Sequence, residues 1–223
     1  MTKTQIANEL GKSTSEVFRM LNCLEERGFI SVRAPGDGYA LTLRMHQLAN
    51  NWPPMRRLIE TALVEMRVLA EETLQSCHLG VYNAGKLYLA AQAESPLPIN
   101  LSFKIGAEFS LARTASGRVL LAFQAPKVAR HWIAAGEAQL SPDERAALMK
   151  RIEEVRTAGY ELSVSERING LTDISCPIFD AQNIAVAALT VPFITYLNSE
   201  EDIQTVKNKL FETSRSISSQ LGN

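Results

Sequence analysis

The sequence predicts a mixed α and β protein of two domains, a short unit of two helices and a β-hairpin followed by a larger α+β domain. Three observations carry this. At 223 residues the chain exceeds one average domain. Asn50-Asn51-Trp52-Pro53-Pro54 is a helix breaker and a natural boundary. Before it, apolar residues recur at helical spacing; beyond one further helix, strand-like alternation and turn signals take over. The chain divides on this basis into residues 1–50, a linker helix over 51–76 and the larger domain over 77–223.

Composition narrows the class. Apolar residues at 46% and charged residues at 21% suffice for a core without staples. No apolar run reaches the roughly 18 residues needed to span a bilayer. Met1-Thr2-Lys3-Thr4-Gln5 has no apolar signal core, so a cytoplasmic location is expected. Cys23, Cys77 and Cys176 are too far apart for a disulfide framework, and His46, His78 and His131 are equally scattered. No metal and no cofactor is expected. Residues 1–57 hold eight Lys/Arg against five Asp/Glu, a charge of +3, which leaves −4 on the rest of a chain of net −1. A basic end on an acidic body fits a nucleic-acid contact at that end.

In the short unit, Ile6, Ala7 and Leu10 share one side of a helix over Thr4–Leu10, and Gly11 ends it. Ser13 or Thr14 caps a second helix, with Glu16 placed for a capping box, and Gly28 stops it after Arg27. Val17, Met20, Leu21 and Leu24 form its apolar side; Ser15, Phe18, Arg19 and Asn22 lie opposite. Thr14, Ser15, Phe18, Arg19 and Asn22, near the helix start, suit major-groove reading. A solvated face of a helical hairpin would look the same. Ala7, Gly11 and Val17 have the offsets of a helix-turn-helix. Phe29–Arg33 and Tyr39–Leu43 then read as strands around Ala34-Pro35-Gly36-Asp37-Gly38, the order of a winged helix, with Arg33 placed to meet a phosphate. Such a unit normally opens with one more helix under the turn. Here the sequence starts at the first helix of the motif, so the winged helix-turn-helix is expected to be incomplete, with Ile6, Leu10 and Leu21 short of cover.

The linker helix, Met55 to about Ser76, carries the stripe Leu58, Ala62, Met66, Leu69 and Thr73; it is read either as a dimer contact or as a helix packed on its own domain. Residues 77–82 and 86–92 are strands joined by Asn83-Ala84-Gly85. Helices are expected over Ser116–Phe123, Lys127–Ala135 and Ser141–Ala158, the last with a Ser cap, Pro at its first position and acids in its first turn. Strands Ile174–Phe179 and Ile184–Val191 turn through Asp180–Asn183, and a helix over about Ser199–Leu221 ends the chain.

Several ordered motifs make the chain resemble the IclR family of bacterial transcription regulators over nearly its whole length. They include Ile6-Ala7 to Gly11, Glu16-Val17-Phe18-Arg19-Met20-Leu21, Glu26-Arg27-Gly28-Phe29-Ile30, Tyr39-Ala40-Leu41 and Ile105-Gly106. Others are Ala112-Arg113-Thr114-Ala115-Ser116-Gly117-Arg118, Ala158-Gly159-Tyr160, Glu166 to Gly170 and Ala187–Val191. The resemblance implies a winged-helix DNA reader and a GAF-like effector domain. It also implies a homodimer or tetramer on a palindromic double-stranded operator, and a small organic acid or aromatic effector.

Carried over residue by residue, the effector site comprises Thr114, Ala115, Ser116 and Gly117, whose backbone N–H groups at a helix start can hold a carboxylate. Ser163 stands where the family commonly has an acidic residue, Asp173 where a Cys is frequent, and Thr190 and Pro192 where serines are frequent. A carboxylate at Asp173 favours an effector with hydroxyls or an amine. A solvent-facing Asp capping a turn remains the other reading, and Arg113 is either a ligand for carboxylate or a surface charge.

Two rival functions stand beside this one. An enzyme has little support: Cys77 and His78 are strand neighbours pointing to opposite faces, Cys176 stands alone before Pro177, and no nucleophile elbow or phosphate loop occurs, so no catalytic residue is expected. An effector-binding interaction protein that no longer binds DNA is the second rival.

Overall fold

The computed structural model describes residues 1–32, 38–165, 168–195 and 202–223. The chain separates into two compact units, Met1–Arg56 and Arg57–Asn223.

In the first unit, α1 (Lys3–Glu9) starts at a capping box between Thr2 and Gln5, and α2 (Thr14–Glu26) at one between Ser13 and Glu16. Gly11 sits between them at φ +60°, a conformation glycine adopts without penalty. Strands β1 (Ile30–Val32) and β2 (Tyr39–Leu41) pair antiparallel. Ala7, Val17, Leu21 and Ile30 form the buried core, with Ile6 and Tyr39 against it. Leu21 is therefore covered, contrary to the expectation, because it faces the hairpin as well as α1. Leu10, by contrast, is 58% exposed, and Met20 and Leu24 on the apolar side of α2 are 50% and 40% exposed. The expected wing turn from Ala34, with Arg33, lies outside the described residues.

A helix not foreseen, α3 (Arg44–Asn50), follows; it lacks a side-chain cap and so carries no start signal. The next helix, α4 (Pro53–Thr73), starts two residues before the expected Met55, because prolines in a first turn need no N–H partner. It ends three residues before the expected Ser76: the Thr73 hydroxyl bonds back to the Leu69 carbonyl at 2.6 Å, and Leu74 turns to φ 53°. Leu58, Ala62, Met66, Leu69 and Thr73 are all buried.

The second unit is built on a six-stranded antiparallel sheet in the order β5-β4-β3-β8-β7-β6. Its members are β3 (Cys77–Asn83), β4 (Lys86–Ala93), β5 (Glu108–Phe109), β6 (Glu161–Val164), β7 (Leu171–Phe179) and β8 (Ala185–Ile194). Strand β4 alternates buried and half-buried residues, while β7 and β8 are buried almost throughout because helices cover both faces. One face carries α5 (Ala115–Ala122), with α6 (Pro126–Gly136) and α7 (Pro142–Ala158) packed outside it. The other carries α8 (Ile203–Leu221), capped by Asp202, and α4 beside it, where Gln220 reaches Glu65 at 2.6 Å. The expected start of the last helix at Ser199 falls outside the described residues. Cys77 and His78 do face opposite sides: the Cys77 thiol meets the Met66 carbonyl of α4, and His78 meets Ser116 of α5. None of the described helices is long and apolar enough to cross a membrane.

Candidate functional site

In the first unit, Thr14, Ser15, Phe18, Arg19 and Asn22 all stand on α2 away from its buried side. The first four are exposed and Asn22 is half-buried. Lys3 Nζ lies 4.7 Å from the centre of the Phe18 ring, so a second cation joins this face.

In the second unit, the start of α5 and the sheet beneath it line a partly open cavity of about 70 Å³. Leu87, Leu89, Phe103, Phe109, Ile168 and Leu171 give it an apolar wall. The polar wall is His78, Thr114, Ser116, Ser165, Asp173 and Thr190, with Ala115 beside them. That mixture of an apolar and a polar wall suits a small organic molecule held by few polar contacts.

The sheet register explains the polar wall. His78, Thr190, Ser175 and Glu161 are successive cross-strand partners on β3, β8, β7 and β6, so their side chains form one row under α5. Two residues of α5 plug into it. Ser116 Oγ lies 2.7 Å from Thr190 Oγ1 and 3.4 Å from His78 Nε2, and Thr190 donates to Ser175 at 2.8 Å. Arg118 donates to Glu161 at 3.0 Å, to the Ala112 carbonyl at 3.0 Å and to Ser163 at 2.9 Å. Glu161, fully buried, also accepts from Arg151.

Proton counting sets the state of His78. Thr190 has one hydroxyl proton and gives it to Ser175, so Ser116 donates to Thr190. Ser116 can then only accept from His78, which makes Nε2 the protonated nitrogen and Nδ1 a bare acceptor. Nδ1 is the one buried side-chain polar atom without a partner among the described residues. An unsatisfied buried group of this kind costs about 1–3 kcal/mol. Burial pushes the imidazole down to about 4, so the ring is neutral at neutral pH. Among the described residues no carboxylate bonds to it, and Ser116 gives it no proton, so the described pair does not form the relay of a hydrolytic serine.

Asp173 belongs to β7, not to a turn, because the strand begins at Leu171 instead of the expected Ile174. Its side chain is half-buried, and no hydrogen bond to it is made among the described residues. Burial raises it from 3.8 to about 6; Arg118 opposes the shift and Glu161 adds to it.

Thr114, Ala115, Ser116, Asp173 and Thr190 are thus brought together around one cavity. Gly117 and Ser163 lie beside it. The Gly117 amide is taken by the Thr114 hydroxyl at 3.2 Å, leaving the Ala115 and Ser116 amides without a partner among the described residues. A Cβ at Gly117 would stand 2.2 Å from the Leu111 carbonyl oxygen, so this glycine lets two backbones meet. Ser163 is turned to Arg118. Arg113 pairs at 3.2 Å with Glu144 on the exposed surface. Pro192 is buried in β8 opposite Asp173. Glu166 lies outside the described residues.

Sequence reasoning missed His78, Arg118 and Glu161 as parts of the site. Glu161 had no sign, because it interrupts the apolar pattern of its own strand. His78 had none, since its meaning comes from register with β8.

The larger unit matches the family model described as Bacterial transcriptional regulator IclR C-terminal over residues 55–219, and the smaller matches the IclR helix-turn-helix domain over residues 1–34. The chain is 28% identical over 223 residues to the HTH-type transcriptional regulator KdgR of Escherichia coli, covering 98% of this chain and 85% of that protein. An IclR homologue from Microbacterium hydrocarbonoxydans, solved with 4-hydroxybenzoate, superposes with a TM-score of 0.79 at 19% identity, covering 99% of this chain and 91% of that one. The Thermotoga maritima IclR structure gives 0.70 at 23% identity, covering 100% and 92%. These relatives are regulators, not enzymes.

Proposed function

The chain belongs to the IclR family of bacterial transcriptional regulators, and on that premise we propose that it is an operator-binding regulator whose DNA affinity is set by a small organic acid in the cavity under α5. The cavity carries this reading. The partnerless amides of Ala115 and Ser116 at the start of α5 suit a carboxylate. The half-buried Asp173 carboxylate on the same cavity suits a hydroxyl or an amine. The compound in the Microbacterium homologue is a carboxylate bearing a hydroxyl, in keeping with that pairing.

DNA is read in this proposal by Thr14, Ser15, Phe18, Arg19 and Asn22, with Arg33 on backbone phosphate. The protein works in the cytoplasm as a homodimer or tetramer on a palindromic operator. Its working parts are the reader over 1–50, the linker over 51–76 and a GAF-like effector domain over 77–223.

A gel-shift titration on DNA from the control region beside the gene tests the reader. Replacing Arg19→Ala should weaken binding by about tenfold or more, the scale of one lost base or phosphate contact. Unchanged binding removes α2 from the interface. No binding by the wild type favours the rival, an effector-binding protein that no longer binds DNA.

A further inference from the structure

We propose that His78 is a specificity-determining residue of the effector cavity, its Nδ1 accepting a hydrogen bond from a hydroxyl or amine on the effector. The inference rests on the cavity being the effector site and adds a reader that neither the motifs nor the family match assigns.

Four observations converge. His78 lines the cavity, and its Nδ1 is the orphaned buried polar atom among the described residues. The Ser116–Thr190–Ser175 chain consumes the hydroxyl protons and leaves Nε2 as the donor, so Nδ1 presents a lone pair. The ring is held edge-on to Phe103 at 5.2 Å, and Phe103 is itself tied down through its amide to Gln92 at 2.7 Å. Asp173 on the same cavity is a second acceptor without a donor among the described residues.

The set is lopsided in a useful way. Amide donors at the start of α5 face a carboxylate's needs, whereas His78 and Asp173 both ask for hydrogen. The effector that satisfies all three is a carboxylic acid carrying at least two hydroxyl or amine groups. A deoxy analogue of equal size leaves Nδ1 bare, and a site with an unpaired buried acceptor discriminates against such a ligand. His78 selects by composition, while the apolar wall selects by size.

Calorimetric titration of the full chain with paired acids tests this: benzoate and 4-hydroxybenzoate, butyrate and 3-hydroxybutyrate, hexanoate and gluconate. The wild type should prefer the hydroxylated member of at least one pair, and His78→Phe should cut that preference about tenfold while still binding the deoxy member. A preference that survives in His78→Phe, or a wild type that binds both members equally, overturns the role of His78 and leaves the cavity as the effector site. Binding of none of these acids at millimolar concentration contradicts the cavity reading, and His78 falls with it. Should His78→Phe fail to fold, nitrogen NMR of the wild-type imidazole decides. The Nδ1 resonance should move on adding the hydroxylated acid and not its partner; an unmoved resonance overturns the proposal.

Discussion

Replacing Asp173 by Asn should stabilise the ligand-free protein, and by an amount that depends on pH in a set direction. In the folded state burial raises the carboxyl from 3.8 to about 6, and the opposing pulls of Arg118 and Glu161 leave burial in charge. Between those values the folded state holds a proton that the unfolded chain has released. The unfolded state therefore binds fewer protons there, and stability falls as pH rises through that window. Asn reproduces the neutral form at every pH. The stability difference between variant and wild type should start small near about pH 4, grow to about pH 6.5 and then level off. Roughly two pKa units correspond to about 3 kcal/mol, and partial exposure brings the expected plateau to about 2 kcal/mol. Urea unfolding of both proteins at matched ionic strength across this range gives the difference directly. Other titrating groups cancel in it. A difference that is flat with pH, or that shrinks as pH rises, would refute the idea that Asp173 is a desolvated carboxylate without a donor.

Other perturbations follow from the same geometry. Arg118→Ala leaves the buried Glu161 with Arg151 as its one cation among the described residues and takes the donor from the Ala112 carbonyl, so unfolding free energy should drop by about 3–5 kcal/mol in urea melts. Gly117→Ala drives a Cβ into the Leu111 backbone and should cost about 1–3 kcal/mol, with the start of α5 displaced and acid binding weakened in the calorimeter. Ala7→Leu overfills the crossing of α1 and α2 and should cost a similar 1–3 kcal/mol or so, read as a lowered melting point and a lost gel shift.

Much of this architecture could be read from residues. Ser13 with Glu16 and Ser141 with Glu144 form the capping boxes their spacing announces, and Asn83-Ala84-Gly85 turns a hairpin with two positive φ angles. The stripe from Leu58 to Thr73 is buried as its spacing requires. Helical and strand periods reveal which side of an element faces inward. What lies opposite that side is a matter of register. Strand β6 escapes notice in the sequence because Glu161 and Ser163 break its apolar pattern, and the burial of Glu161 is made tolerable by Arg151 and by Arg118, 43 positions upstream of Glu161. His78 gains its neighbours only when β3 meets β8 and α5 settles over both. Met20 and Leu24 show the opposite limit: an apolar side on α2 says nothing about whether a partner covers it.

The central claim is that an acid in the cavity under α5 changes the grip of the protein on DNA. Fluorescence anisotropy of labelled control-region DNA, titrated with protein at fixed salt with and without an acid that stabilises the wild type, measures this. In the wild type the acid should shift the dissociation constant by about fivefold or more, and in Asp173→Ala the shift should be lost while binding to DNA without the acid stays the same. An equal shift in both proteins, or none in the wild type despite saturation of the cavity, would contradict it.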